Sequence, residues 1–318
     1  MRKTILVALG GNAIKQAHEK GTSEEQFANV YTTCRELVKL LKVGYRLVIT
    51  HGNGPQAGNL LIQQEEAAGS VPAMPLDVVG AMTQGHIGYM FQQAMTNLLW
   101  QERMPLPVIS VVNQVLVSED DPDYQNPTKP VGPFFNEAEV EKIRTEKPDW
   151  IIKEVKPKSV EKRFRRVVAS PDPLRNVEYQ ALRIMLNHGI VIIASGGGGI
   201  PVVMENDNYR GTAAVIDKDL AGERLAEVVG ADLFLILTDI EYACVNYGTP
   251  EEKKLERITH NEMQAYHKQG HFKPGSMGPK VQACLRFIQF GGERAIITSL
   301  DKAFDAINGI SGTQIIPD

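Results

Sequence analysis

Short apolar runs that end in glycine, alternating with helical periodicity, constrain this chain more than any other feature. Residues 4–9, TILVAL, run into Gly10, Gly11 and Asn12, and residues 46–50, RLVIT, close on HGNGPQ with Gly52, Asn53 and Gly54. A third run, 190–194, enters SGGGGIP with Gly196, Gly197, Gly198 and Gly199. Between the first two, Phe27, Val30, Tyr31, Cys34, Leu37, Val38 and Leu41 recur at spacings of three and four. That is one face of a helix, and Gly44 stops it. Further helical patterns over 56–67 and 81–100 lead to a strand over 107–112. Strand, helix, strand at this spacing is a βαβ unit, which implies a parallel sheet with helices on both faces.

The alternation breaks over 118–166, a stretch dense in charges of both signs and in proline. Phe134, Phe135, Trp150 and Phe164 give it something to pack, so it reads as an inserted, hairpin-like lobe with short strands near 150–155 and 166–168. Alternation then resumes: helix 177–188, strand 190–194, helix 220–229 and the apolar strand 233–237. The tail runs helix 260–269, helix 279–290, strand 294–297, helix 302–307 and strand 313–316. The fold class is therefore α/β: an open, mainly parallel sheet in two halves, 1–215 and 216–318, with one small lobe. At 318 residues the chain can bury a core without disulfides or metal. A net charge of −4 argues against non-specific attraction to nucleic acid or anionic lipid. No apolar stretch suggests a membrane span, and the start shows no signal-type cleavage pattern. Three cysteines, Cys34, Cys244 and Cys284, form no CxxC, as expected of reduced thiols in the cytoplasm.

In open α/β sheets ligands bind beyond the carboxyl ends of strands. Glycine there lets the backbone approach an anion with its N–H groups turned inward. A lone glycine pair is more often a tight turn; three glycine loops, each at a strand end, favour binding. The P-loop GxxxxGK[ST], the GxGxxG of dinucleotide folds and the protein-kinase HRD and DFG sets are all absent. Lysines supply another scheme, because phosphoryl transfer between anions needs positive charge around the moving group more than a covalent nucleophile. Lys218 lies in AVIDKD, after an apolar run expected to deliver it to a sheet edge. Lys280 lies in GSMGPK at the start of an amphipathic helix, and Lys129 in the proline-bracketed NPTKPVG of the lobe. Asp219 would orient Lys218, while Asp217 could do the same or cap the next helix. Thr238 and Asp239 fall where a nucleotide or its Mg²⁺ would be met. His51 is a tempting base, but transfer to a carboxylate oxygen removes no proton, so a loop-fixing hydrogen bond is the better reading.

The segments ALGGNA, HGNGPQ, NPTKPVGPF, SGGGGIPVV, AVIDKD, LTDI, VNYGTP, PGSMGPKV and AIITSL, in this order, resemble the carbamate kinases of the amino-acid kinase family. The resemblance covers essentially the whole chain, and NPTKP and GSMGPK set that group apart from other members. It implies a three-layer αβα sandwich, a homodimer, and phosphoryl transfer between MgATP and carbamate giving carbamoyl phosphate and ADP. In fermentative arginine or related catabolism the reverse direction makes ATP. The N-terminal half would bind carbamate and the C-terminal half the nucleotide. By the same resemblance Gly10, Gly11 and Asn12 would cradle the transferred group. Gly52, Asn53, Gly54 and Gly196 to Gly199 would shape the acceptor pocket. Lys218 and Lys280 would neutralise charge, with Asp219 organising them and Lys129 reaching in from the lobe. Thr238, Asp239, Tyr247, Ser276 and Met277 would line the nucleotide side, and Mg²⁺ would be held mainly by nucleotide phosphates.

The chain departs from the family pattern in places. Ala8 stands where relatives acting on amino-acid carboxylates carry lysine, which leaves that role to Lys218; the stretches around SPDP and LAGERLA are diverged. Two other readings stand beside this one: a same-fold kinase for another small carboxylic or phosphonic acid, and a silent nucleotide-binding regulator.

Overall fold

The computed structural model describes residues 2–318. Its central sheet has eight strands in the order Arg257–Thr259, Thr313–Ile316, Arg294–Ser299, Leu233–Thr238, Thr4–Leu9, Arg46–His51, Val191–Ile193 and Val108–Ser110. Every neighbouring pair is parallel except Arg294–Ser299 with Thr313–Ile316. The central strands are buried on both faces, which is why TILVAL and LFLILT read as continuous apolar runs.

The helices among the described residues are α1 (Ser23–Lys42), α2 (Gly54–Ala67), α3 (Leu76–Gln101), α4 (Glu137–Glu146), α5 (Tyr179–Asn187), α6 (Lys218–Val229), α7 (His260–Lys268), α8 (Met277–Gln289) and α9 (Ala303–Ile307). Side chains alternate across a strand. Ile5, Val7 and Leu9 therefore join the core under α1, α3 and α9, whereas Leu6 and Ala8 join that under α5 to α8. The result is an α/β/α sandwich. Helix α1 starts at a reciprocal cap, in which the Thr22 side chain accepts from Glu25 N and the Glu25 side chain from the Thr22 amide. Gly230, at φ 65°, closes α6 in the left-handed conformation.

Two features differ from the sequence expectation. A second, four-stranded sheet (Asn208–Gly211, Ile200–Glu205, Gln114–Val117, Pro173–Asn176) sits beside the first. Its strands are short and three of the four carry proline or charge, so no long apolar run announced them. The expected strand 107–112 is also shorter, Val108–Ser110. The charged segment forms a lobe of three antiparallel strands, Lys129–Phe135, Phe164–Val168 and Ile151–Glu154, with α4. Two of its aromatics carry cations over their rings. Trp150 lies under Lys147 and Arg166, and Phe134 under Lys156 and Arg165. A hydropathy pattern does not register such a core.

Candidate active site

Strand register assembles the site. Leu9 is paired with Leu237 on one side and His51 on the other, so the glycine loops that follow Leu9 and His51 emerge together with Thr238. Gly10 N donates to Leu237 O (2.9 Å) and Gly52 N to Leu9 O (3.0 Å), which prolongs the ladders into the loops. Gly52 lies against Lys218, whose Cδ would be 3.4 Å from a Cβ there, an ordinary van der Waals contact. The third loop is packed tighter still. A Cβ on Gly197 (φ 67°) would meet Asn53 Nδ2 at 2.2 Å, and one on Gly198 (φ 97°) would meet Ile216 O at 2.3 Å. At Gly198 the obstacle is backbone, and only glycine satisfies both the dihedral and the space there.

Lys218 opens α6 rather than ending a strand. The apolar run before it is irregular, held by a bridge of Ala214 to Ala169, because Asp217 caps the helix by accepting from Asp219 N (2.9 Å). This places Lys218 and Asp219 in the first turn of α6 and Lys280 in the first turn of α8, helices that pack against each other. Asp219 is 2% exposed. Lys218 Nζ donates to its Oδ1 and Lys280 Nζ to its Oδ2 (3.1 Å). Burial pushes the Asp219 carboxyl up, but the charges of Lys218 and Lys280 and their hydrogen bonds outweigh it and hold the group below its usual range. Lys129 Nζ reaches over from the lobe to 3.6 Å from Asp217.

These groups face one cavity of about 330 Å³, walled by Gly11, Gly52, Asn53, Gly54, Gly197 and Gly199 with Lys129, Lys218, Asp219, Ser276 and Lys280. Backbone amides, helix N-termini and three ammonium groups converge there, an arrangement that suits a small anion receiving or losing a phosphoryl group. A second hollow of about 240 Å³ joins Gly10, Asn12, Thr238 and Asp239 to Ser299 and Asp301 at the ends of the neighbouring strands.

The amino acid kinase family model matches residues 3–299. The chain belongs to the amino acid kinase family. Carbamate kinases of Pyrococcus furiosus and Thermococcus kodakarensis are 49% and 50% identical to it, over 100% and 99% of both chains. The solved structure of carbamate kinase from Giardia lamblia bound to AMP-PNP superposes with a TM-score of 0.95 at 46% identity, covering 100% of this chain and 99% of that one.

In this amino acid kinase four other sequence candidates, Gly196, Gly198, Met277 and Tyr247, lie off the cavity wall. Gly196 and Gly198 are buried behind it. Met277 is the first residue of α8 and packs on the core, and Tyr247 is 73% exposed in the turn after Cys244–Val245. His51 is buried, stacked on Phe91, with Nδ1 donating to Gly52 O (2.9 Å). Burial pushes its pKa down to about 4, so the ring is neutral at pH 7.

Sequence reasoning missed Arg165, which lines the cavity and donates through Nε and Nη2 to Gly132 O (3.1 and 2.7 Å), bracing the turn beside Lys129. It also missed the polar scaffold under the third loop. Ser195 N donates to Asn113 Oδ1 (2.6 Å), Ser195 Oγ accepts from Asn113 and Asn176, and Gln84 donates to Gly196 O (3.2 Å). Asn113, Asn176, Gln84 and Ser195 are all buried. Scattered buried amides carry no spacing signal.

Proposed function

We propose that this chain catalyses reversible phosphoryl transfer between ATP and carbamate, giving carbamoyl phosphate and ADP. The observation that carries this reading is the Lys218–Asp219–Lys280 clasp facing glycine loops at the carboxyl ends of parallel strands. Both reactants are anions, and fixed ammonium groups offset their repulsion before in-line transfer. Carbamate is small and planar, and a pocket walled by glycine fits it. The full-length identity to carbamate kinases supports that acceptor over a longer acid. Gly11, Gly52, Asn53, Gly54, Gly197 and Gly199 would hold the acceptor and the transferred group. Lys129 would cover them, and the hollow by Thr238 and Asp239 would take the nucleotide. Ser276, on the wall of the acceptor cavity, with Met277 and Tyr247, would contact the nucleotide from the α8 side and the turn after Cys244–Val245.

Among the described residues no three His, Cys, Asp or Glu side chains gather to hold a metal ion. Lysines beside an open anion pocket fit a magnesium ion that arrives on the nucleotide phosphates, where it would offset their charge. A homodimer is part of the proposal. Val78, Met82, Tyr89 and Trp100 are exposed at helical spacing along α3, an apolar stripe beside the edge strand Val108–Ser110. Light scattering that gives a monomer at micromolar concentration would remove it. Buried free thiols at Cys34 and Cys284 suit a reducing cytoplasm.

The deciding assay is ATP formation from ADP and carbamoyl phosphate by the purified protein. Parallel reactions offer ATP with carbamate, acetylglutamate or UMP. Turnover with acetylglutamate or UMP and none with carbamate or carbamoyl phosphate would overturn the assignment, and nucleotide binding without any turnover would favour a silent regulator.

A further inference from the structure

A second charge cluster, partly exposed except for one buried carboxyl, lies outside the cavity, where α6, α8 and the roots of the lobe meet. Arg286 of α8 grips Asp172 with both Nη atoms (2.6 and 2.9 Å). Asp172 N donates to Asp121 Oδ2 (2.9 Å) and Ser170 N to Asp123 Oδ2 (3.2 Å), so the outgoing and returning stems of the lobe are tied together there. Arg224 of α6 donates to Pro173 O (3.1 Å). The clasp thus joins the three elements that carry Lys218, Lys280 and Lys129.

Glu223 sits inside this clasp, one turn along α6 from Asp219. It is 0% exposed, and neither carboxyl oxygen has a hydrogen-bond partner among the described residues. The charged groups facing it are Arg224 and Glu227 on its own helix, Arg286 on α8 and Asp172 on the lobe stem. The nearest cation is Arg224, with Nε 3.7 Å away, and its Nη1 is already bonded to Glu227 (3.0 Å). Arg286 is committed to Asp172. A carboxylate here would therefore be a buried charge whose possible partners are engaged elsewhere, whereas a neutral carboxyl fits the packing.

We propose that Glu223 is a positioning residue that couples protonation to the seating of the lobe. Protonated, it leaves Arg286 on Asp172 and Arg224 on the Pro173 carbonyl. Ionised, it draws these guanidinium groups toward itself and loosens the lobe stems from the two lysine-bearing helices. Burial, only partly offset by the Arg224 charge, raises the Glu223 pKa to about 7, which sets the switch within the working range of an ordinary cell. The consequence for turnover rests on the proposed reaction, because Lys129 must come down over the acceptor.

The test compares wild type with Glu223→Gln, which keeps the neutral shape. If closure changes the Glu223 proton affinity by one pKa unit, KM for carbamoyl phosphate in wild type rises up to ~10-fold between about pH 6 and about pH 8.5 relative to the variant. At the acid end the two proteins match in KM and kcat. Titration of the substrates themselves is common to both and cancels in the ratio. A substrate-free arm follows hydrogen exchange of the Ser170 and Asp172 amides, corrected for intrinsic rates. Protection falls with rising pH in wild type and stays level in Glu223→Gln. Parallel KM profiles together with parallel protection profiles overturn the proposal. A wild type that makes no ATP overturns the reaction assignment, and the exchange arm still decides the clasp.

Discussion

Replacing Asp219 by asparagine keeps the volume and removes the one charge that Lys218 and Lys280 share. Each ammonium now contacts a different oxygen of that carboxylate, and two like charges so gathered, at about 6 Å and an effective dielectric of 20, repel by about 3 kcal/mol. The amide would also turn a donor toward one of them. Breaking a buried pair by removing one partner costs about 3–5 kcal/mol, which at ~2 °C per kcal/mol for a large domain lowers Tm by roughly 6–10 °C. Loss of positioned charge at the reacting group should cost ~10²–10³ in kcat. The defect has a particular signature. ADP or carbamoyl phosphate supplies the missing negative charge, so either ligand should raise Tm of Asp219→Asn by more than it raises that of wild type. Differential scanning fluorimetry with and without ligand, beside the ATP-forming assay, reads all three quantities. A variant with wild-type Tm and near-normal kcat would refute the argument that the carboxylate holds the lysine pair. So would a ligand shift no larger than that of wild type.

Three further perturbations probe other parts of the fold. Lys129→Ala removes a half-exposed cation of the lobe, so its Tm should stay near wild type while KM for carbamoyl phosphate rises by about 10-fold; unchanged steady-state kinetics would place Lys129 outside the reaction. Gly198→Ala forces a Cβ to 2.3 Å from Ile216 O at φ 97°, and should cost well over the ~1–3 kcal/mol of a strained dihedral; melting near the wild-type temperature would contradict the close approach. Glu223 has a folded pKa of about 7 against an ordinary 4.5, so between those values the native state binds more protons than the unfolded chain. Wild-type stability therefore falls as pH rises through that window, by up to roughly 3 kcal/mol, and Glu223→Gln escapes the loss. Melts at about pH 5 and pH 8 should show the variant gaining on wild type at the higher pH; an equal difference at both would exclude the raised pKa.

The parts legible in the sequence are those set by local pattern. TILVAL, RLVIT and LFLILT are buried on both faces, so burial alone dictates unbroken apolar runs, and the glycine loops mark their carboxyl ends. Lys218, Asp219 and Lys280 were legible because each stands beside such a segment. Long-range relations were not. The bidentate pair of Arg286 with Asp172 spans 114 positions, and the Asn113–Ser195 bond spans 82. Neither residue pair has a spacing that betrays its partner. The lobe core was half legible: its aromatics were visible, but their partners are Lys147, Lys156, Arg165 and Arg166, which look like solvated surface charge.

The site has to solve a problem that precedes substrate. Two ammonium groups gathered to receive phosphate repel each other whenever the phosphate is away, and free lysines would swing apart. Asp219 removes that difficulty by its depth. As residue two of α6 it is buried at the cavity wall, and it takes one hydrogen bond from each lysine through separate oxygens. Lys218 keeps two of its three N–H donors for other partners, and Lys280, which also donates to Ser276 O (3.4 Å), keeps one. The ordering of two long side chains is thus met during folding rather than at the moment of transfer, the condition under which fixed charge lowers a barrier. It also explains why the lysines come from helix N-termini rather than from flexible loops. A first-turn residue has its backbone fixed by the helix and its side chain beside the positive end of the dipole, a place that favours an incoming anion and disfavours a cation left without a counter-charge. The buried carboxylate is what makes that placement tolerable, so Asp219→Asn and a loosened α6 should fail in different ways. The first should be rescued by anions, and the second should not.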